Sequence, residues 1–221
     1  MANKIPTALV SDFDGTISDD DFFNYVSRRW LGEKALDPWR EYTEGKKTHF
    51  EALREIFASL RVEQPAFDDF IREIKIDPGF FTVADYCRRR GIPVYVCSAG
   101  CDYYIDKLAG KEMADCRVRL VANHGVYSPE TGLVMTPPPE NSPFYDPNTG
   151  ISKAAVVAYL QQRGYRVVYC GDGMPDVAAA AIADVVFARK MLLLQCRQLN
   201  IPAEELTDFN QVYRFLKGEK Q

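Results

Sequence analysis

Histidine is almost missing from this 221-residue chain, which has only His49 and His124. A histidine-dependent triad or a three-histidine zinc site is therefore hard to build. The six cysteines, Cys87, Cys97, Cys101, Cys116, Cys170 and Cys196, contain no Cys-x-x-Cys pair. They read as free thiols in a reducing compartment. No apolar run approaches the roughly 18 residues needed to cross a bilayer. Met1 to Pro6 lead straight into a short apolar stretch, with neither a secretory signal nor a transit peptide visible. The expectation is a cytoplasmic protein with no membrane partner. Basic clusters are scarce as well: 27 Lys+Arg against 31 Asp+Glu leave a net charge of -4. The longest basic cluster, Arg88-Arg89-Arg90, has no interleaved aromatics, which speaks against nucleic acid as a partner. With so little else reactive, carboxylates must carry any chemistry.

What is present is an ordinary globular composition, 47% apolar, 12% aromatic and 26% charged, which excludes a disordered, collagenous or coiled-coil chain. Three short apolar segments each end in small or acidic residues, and each is followed by a helical pattern. Ala8-Leu9-Val10 leads into Asp12-Phe13-Asp14-Gly15-Thr16, residues 93 to 97 into Ser98-Ala99-Gly100, and residues 166 to 170 into Gly171-Asp172-Gly173. Runs without polar alternation suggest strands covered on both faces, hence a parallel sheet with crossover helices. The fold class is α/β, a Rossmann-like core. Residues 184 to 188 add a fourth strand, and residues 117 to 121 could supply another. The pattern from Phe81 to Arg90 ends at Gly91, and that from Ser152 to Arg163 ends at Gly164, each with glycine where a left-handed C-cap belongs. Ser152 is a plausible N-cap.

Between the first strand and Pro78 the composition changes. Phe22, Tyr25, Val26 and Trp30, then Phe50, Leu53, Ile56, Phe57 and Leu60, fall at helical spacing with no strand signal. We expect a small helical cap over residues 18–78, inserted between core segments 1–17 and 79–221. Residues 123–150 form a further elaboration: two apolar arms from Val126 to Val134 around a Pro/Gly turn read as a hairpin, and Asn148-Thr149-Gly150 close it as loop. Trp30, Trp39 and Phe22-Phe23 read as cap core, and His124 as a hydrogen-bonding residue of the hairpin.

In open parallel sheets ligands bind beyond the carboxyl ends of the strands, where all three punctuated segments place their polar residues. Asp12 and Asp14 are two apart, so on an extended backbone their side chains share a face, and such a pair repels unless a cation lies between them. Mg²⁺, a hard cation taking oxygen ligands, is the economical partner, with Asp172 completing the coordination. Each aspartate could alternatively cap a helix, and Asp176 taken alone reads that way. Ser98 with the backbone N–H groups after it could form an anion site at a helix N-terminus. Lys153 opens another helix, where the dipole disfavours a cation, so an anionic partner such as a phosphoryl group would explain it.

Taken in order, Asp12-Phe13-Asp14-Gly15-Thr16, Ser98, Lys153 and Gly171-Asp172-Gly173-Met174-Pro175-Asp176 resemble the four motifs of the haloacid-dehalogenase-like phosphohydrolase superfamily over almost the whole chain. The resemblance implies that Asp12 is the nucleophile and forms an aspartyl-phosphate. Asp14 protonates the leaving oxygen and then activates water. Ser98, Ala99, Gly15 and Lys153 bind the phosphoryl oxygens, and Mg²⁺ is held by Asp12, the Asp14 main-chain carbonyl and Asp172, with Asp176 in support.

The position of the cap resembles the phosphoserine-phosphatase-like branch. Ser98 to Tyr104, Asn123-His124, Phe187 to Arg189 with Leu193, Cys196-Arg197 and Asp208-Phe209 are similar to the methionine-salvage phosphatases acting on 2-hydroxy-3-keto-5-methylthiopentenyl-1-phosphate. Asp21 stands where phosphoserine phosphatases carry a cap glutamate, and Arg54 lies on the helix of their carboxylate-binding arginine. These two are the candidate substrate residues, although Asp19 to Asp21 read equally as a solvated first helical turn. Pro175 replaces an asparagine usual in the branch, and residues 142–150 replace a cysteine-rich stretch of the salvage enzymes. The expected partner is a small phosphorylated metabolite, phosphoserine, phosphocholine and phosphoethanolamine being alternatives to the salvage intermediate. Phosphoryl transfer to a small alcohol and a non-catalytic phosphate-binding protein are the competing readings.

Overall fold

The computed structural model describes residues 5–218; residues 1–4, on which part of the leader reading rests, lie outside the described residues. Strands β1 (Thr7–Ser11), β2 (Val94–Cys101), β3 (Arg119–Ser128), β4 (Gly132–Thr136), β7 (Arg166–Gly171), β8 (Val185–Ala188) and β9 (Glu204–Glu205) form one sheet, while β5 (Tyr145–Asp146) and β6 (Gly150–Ile151) pair separately. The order is β4-β3-β2-β1-β7-β8-β9, parallel except for the β3–β4 pair. The absence of polar alternation has a direct cause. Leu9, Val96, Val168 and Phe187 face one apolar layer, and their neighbours Val10, Cys97, Tyr169 and Val186 face a second. With period-two side chains, both faces must then be apolar.

Helices α5 (Pro78–Arg90), α6 (Asp102–Asp115) and α10 (Phe209–Lys217) cover the first face through Phe80, Ile105 and Phe209. Helices α7 (Lys153–Gln161), α8 (Val177–Ala180) and α9 (Lys190–Leu199) cover the second through Val157, Ala180 and Leu192. Gly91 terminates α5 in the left-handed region at φ +67°, which costs glycine no Cβ clash. Ser152 caps α7, its Oγ accepting the Ala155 amide at 3.2 Å. That helix stops at Gln161, a turn short of Gly164.

Between β1 and α5 the chain is helical. It contains α1 (Phe22–Val26), a π turn at Ser27–Leu31, a 3-10 turn at Glu33–Leu36, α2 (Asp37–Thr43), α3 (His49–Ala58) and α4 (Gln64–Glu73). Its two ends meet in an antiparallel bridge, Ser18 with Ile76. Thr48 and Glu51 form a reciprocal capping box that fixes where α3 starts.

Two expectations change here. The separate strand at residues 117–121 and the first hairpin arm are one strand, because β3 pairs parallel with β2 over its first half and antiparallel with β4 over its second. Asn148 does more than close a loop: its Oδ1 accepts the His49 amide at 3.1 Å and its carbonyl accepts the Phe50 amide at 2.7 Å. At the other end of α3, Tyr127 on β3 bonds both the amide and the carbonyl of Val62, at 3.0 and 2.5 Å. Gly132, at φ +73°, lies against the carbonyls of Phe57 and Ala58, where no Cβ fits. The hairpin and the loop thus hold α3 at both ends.

Candidate active site

The sheet reverses direction of travel around β1, and the loops after β1 and β7 meet at that switch point. Asp12 leaves β1 with its amide donating to the Cys170 carbonyl at 2.9 Å. Its carboxylate is buried, with Oδ1 accepting from Lys153 Nζ at 2.6 Å and Oδ2 from Thr16 Oγ1 at 3.3 Å. Lys153, at the first position of α7, is 5% exposed and bonds Asp176 Oδ1, also at 2.6 Å. The lysine placed against its own helix dipole is thus compensated by two carboxylates. Tyr169 donates to the same Asp176 oxygen at 2.6 Å, while Asp176 Oδ2 accepts the amides of Asp172 and Gly173 at 3.0 and 2.8 Å. Lys190 Nζ lies 3.1 Å from Asp172 Oδ2. It follows β8 with φ +46°, a left-handed backbone uncommon for lysine and concentrated at functional positions.

Oxygens of Asp12, Asp172 and Asp176 lie within 4.8 Å of one another. Burial first, then the neighbouring carboxylates, push the Asp12 carboxyl well above its ordinary range against the pull of Lys153, and burial raises Asp172 as well. An all-oxygen, anionic and crowded donor set fits a hard divalent cation such as Mg²⁺. Each Asp176 oxygen already accepts two hydrogen bonds, whereas the Asp12 oxygens accept one each and keep free lone pairs.

Asp14 does not share the cation-facing side with Asp12. The strand ends at Ser11, and beyond it the Asp14 carboxylate accepts from Ser98 Oγ at 2.9 Å, Tyr104 OH at 2.6 Å and the Phe22 amide at 3.3 Å. Burial raises its carboxyl above the ordinary value, against the pull of those three hydrogen bonds. Ser98 is not at a helix N-terminus, because β2 runs on to Cys101 and α6 begins only at Asp102. Its buried hydroxyl donates to Asp14 and accepts from the Gly100 amide. Gly15 offers no free amide, since its N–H donates to Ser18 Oγ; its φ of +71° lets the turn pass beside Asp172 where a side chain would overlap. Ala99 and Gly100 do line the cavity above the carboxylates.

That cavity has a volume of about 320 Å³, at the small end for ligand sites. Asp12, Asp14, Lys153 and Asp172 form its floor, and its walls include Asp21, Phe22, Phe23, Trp39, His49 and Met191. Phe22 and Phe23 belong to the buried core, as read from the sequence, and with Trp39 they also border the cavity, while Trp30 packs on Phe67 and Phe70. Asp21 reaches the cavity, and burial with Asp14 and Asp172 lifts its pKa to about 7. Arg54 does not: it is exposed on α3 with its guanidinium over the Phe50 ring, because the inward positions of that helix are taken by Leu53 and Phe57. His124 bonds Asp102 from the hairpin. Sequence reasoning missed Tyr104, Lys190 and His49. The strand-end rule applied to β8 would have flagged Lys190; nothing local marks the other two.

A family model described as haloacid dehalogenase-like hydrolase matches residues 9–181. The chain belongs to the haloacid dehalogenase-like hydrolases. A 2-hydroxy-3-keto-5-methylthiopentenyl-1-phosphate phosphatase of Brevibacillus brevis is 29% identical, covering 100% of this chain and 99% of its own. A polyol phosphate phosphatase of Saccharomyces cerevisiae is 27% identical, covering 98% and 96%. A substrate-bound phosphoserine phosphatase superposes with a TM-score of 0.67 at 18% identity, covering 96% of this chain and 99% of that one, which establishes the shared fold. Among the described residues no helix is long and apolar enough to cross a membrane.

Proposed function

We propose that this hydrolase releases phosphate from a small, uncharged-tailed phosphomonoester through a phosphorylated Asp12, and that the methylthiopentenyl phosphate of methionine salvage is its substrate. The observation that carries the substrate class is the cavity wall. Among the described residues it contains no arginine, and its two lysines are already paired, Lys153 with Asp12 and Asp176, Lys190 with Asp172. A serine carboxylate would be desolvated there without a free cation, a strongly unfavourable arrangement. An apolar thioether chain instead meets Phe22, Phe23, Trp39 and Met191.

Asp12 attacks phosphorus in line while Lys153 offsets the phosphoryl charge that would repel a carboxylate. Asp12, the Asp14 main-chain carbonyl and Asp172 would hold Mg²⁺, which supplies charge neutralisation of the transferring group when bound. Asp14, raised by burial and aimed by Ser98, Tyr104 and the Phe22 amide, gives its proton to the departing alkoxide and recovers one from the water that later cleaves the acyl phosphate. Ser98 in this role positions the acid. The segment 18–78 acts as a cap that excludes water, Asp21 borders the leaving group, and the six unpaired cysteines suit a reducing, cytoplasmic setting.

The test is a panel of metabolite phosphates with Mg²⁺. The salvage intermediate is expected to exceed phosphoserine in kcat/KM by about 10², and Asp12→Asn to abolish phosphate release with the circular dichroism spectrum unchanged. Equal turnover of phosphoserine would remove the substrate reading, and an active Asp12→Asn protein the covalent one.

A further inference from the structure

His49 lines the cavity with a ring nitrogen that is enclosed and has no hydrogen-bond partner among the described residues. It is 6% exposed and opens α3, where the Thr48 capping box and the Asn148 Oδ1 bond to its amide fix the backbone. Trp39 and Tyr42 flank its ring edge-to-face, with centroids 5.4 and 5.3 Å away and interplanar angles of 71° and 88°. Among the described residues no protein group bonds either ring nitrogen, and Nδ1 is enclosed without a partner. Such an enclosed polar atom is rare in a native interior.

Burial, reinforced by Lys153, holds the imidazole pKa down to about 4, so the ring is neutral and carries one N–H. An enclosed N–H left without an acceptor costs more than a bare lone pair, which favours the tautomer with the proton on Nε2 and the lone pair at Nδ1. The ring that lines the cavity thus offers a donor without an acceptor. On the same wall Asp14 accepts three hydrogen bonds and Asp21 is a carboxyl, while Trp39 and Tyr42 add an indole N–H and a phenol O–H beside the imidazole.

We propose that His49 is a specificity residue whose Nε2–H donates to an uncharged oxygen, a hydroxyl or carbonyl, on the leaving group, so that oxygenated alkyl phosphates are selected over plain ones. This rests on the hydrolase reading of the same cavity and adds a polar requirement to its apolar wall. Trp39 and Tyr42 act as the frame that keeps the ring from turning. A group that can only reach the imidazole after the phosphoryl is seated contributes to discrimination rather than to general anion binding.

The test uses glycerol 3-phosphate and propyl phosphate, which differ in the two hydroxyls. Wild-type protein is expected to prefer the former in kcat/KM by about tenfold. His49→Phe, which keeps the aromatic contacts, is expected to erase that preference through glycerol 3-phosphate alone, and His49→Gln to retain part of it. An equal loss on both phosphates would overturn the proposal, since a purely structural or phosphoryl-binding role acts on both. The second measurement does not need turnover. Asp12→Asn protein labelled with ¹⁵N-histidine has only two imidazoles, and His124→Gln assigns them. With Mg²⁺, glycerol 3-phosphate is expected to shift the His49 Nε2 resonance, and inorganic phosphate to leave it in place. A shift with phosphate alone, or none with either, overturns the inference. Failure of wild-type protein to hydrolyse p-nitrophenyl phosphate would instead strike the hydrolase reading and leave the resonance test standing.

Discussion

Replacing Lys153 by methionine tests the electrostatic core most directly. The ammonium is 5% exposed and sits 2.6 Å from both Asp12 Oδ1 and Asp176 Oδ1. Removing it leaves two buried carboxylates beside Asp172 with only Lys190 at the edge, and breaking a buried pair from one side costs about 3–5 kcal/mol. For a chain of this length that is a fall in Tm of roughly 6–20 °C. The pH dependence has a fixed sign. Burial already raises the Asp12 carboxyl even with Lys153 opposing it, and the substitution deletes that opposition. A group with a raised folded-state pKa stabilises fully below its unfolded value and loses that contribution as pH rises through the folded one. The deficit should therefore be small near pH 4, widen toward pH 8, and shrink at pH 8 when Mg²⁺ is added. Thermal unfolding followed by circular dichroism in EDTA, at several pH values and then with Mg²⁺, reads all three. A variant as stable as wild type at pH 8 without metal, or a deficit that grows on acidification, would refute the ion-pair reading.

Other outcomes follow from the same geometry. Asp14→Asn should slow alkyl phosphate hydrolysis by ~10²–10⁴ and slow formation of the phosphoenzyme from p-nitrophenyl phosphate far less, because nitrophenolate leaves without a proton; equal losses in rapid-quench kinetics would contradict the acid role. Asp21, at about 7 when folded, loses its stabilising contribution between pH 4 and 7, so Asp21→Asn in EDTA should exceed wild type at pH 8 by up to about 4 kcal/mol. That advantage should vanish near pH 4 in urea unfolding. Gly132→Ala places a Cβ on the Ala58 carbonyl at a positive φ and should lower stability by more than about 1 kcal/mol, measurable by the same method.

The parallel core was legible because strands covered on both faces have no polar residues to alternate, as Leu9 and Val10 illustrate. The placement of Lys153, Asp12, Asp172 and Asp176 around one point followed from strand ends meeting at a switch point. Side-chain direction beyond a strand end was not legible. The spacing of Asp12 and Asp14 suggested one face, but the chain turns after Ser11 and sends Asp14 to Ser98 and Tyr104. Whether β2 stops at Cys97 or continues to Cys101 decided the role of Ser98, and a run of small residues does not encode that end. Arg54 failed for a related reason, since only the packed helix fixes which residues point inward.

The continuity of β3 bears on how the molecule folds. One half of this strand is an interior member of the parallel sheet, and the other half braces the inserted helices through Tyr127. Those helices therefore share a cooperative unit with the sheet although they are remote from it in chain order. Unfolding should be a single transition for both, and amide exchange in α3 should slow to the rate of global opening instead of showing an independent, faster opening. Deleting residues 18–78 would expose the inner surface of the hairpin and leave a core prone to association along it, so the insertion is better described as a structural ligand of the sheet than as a removable module.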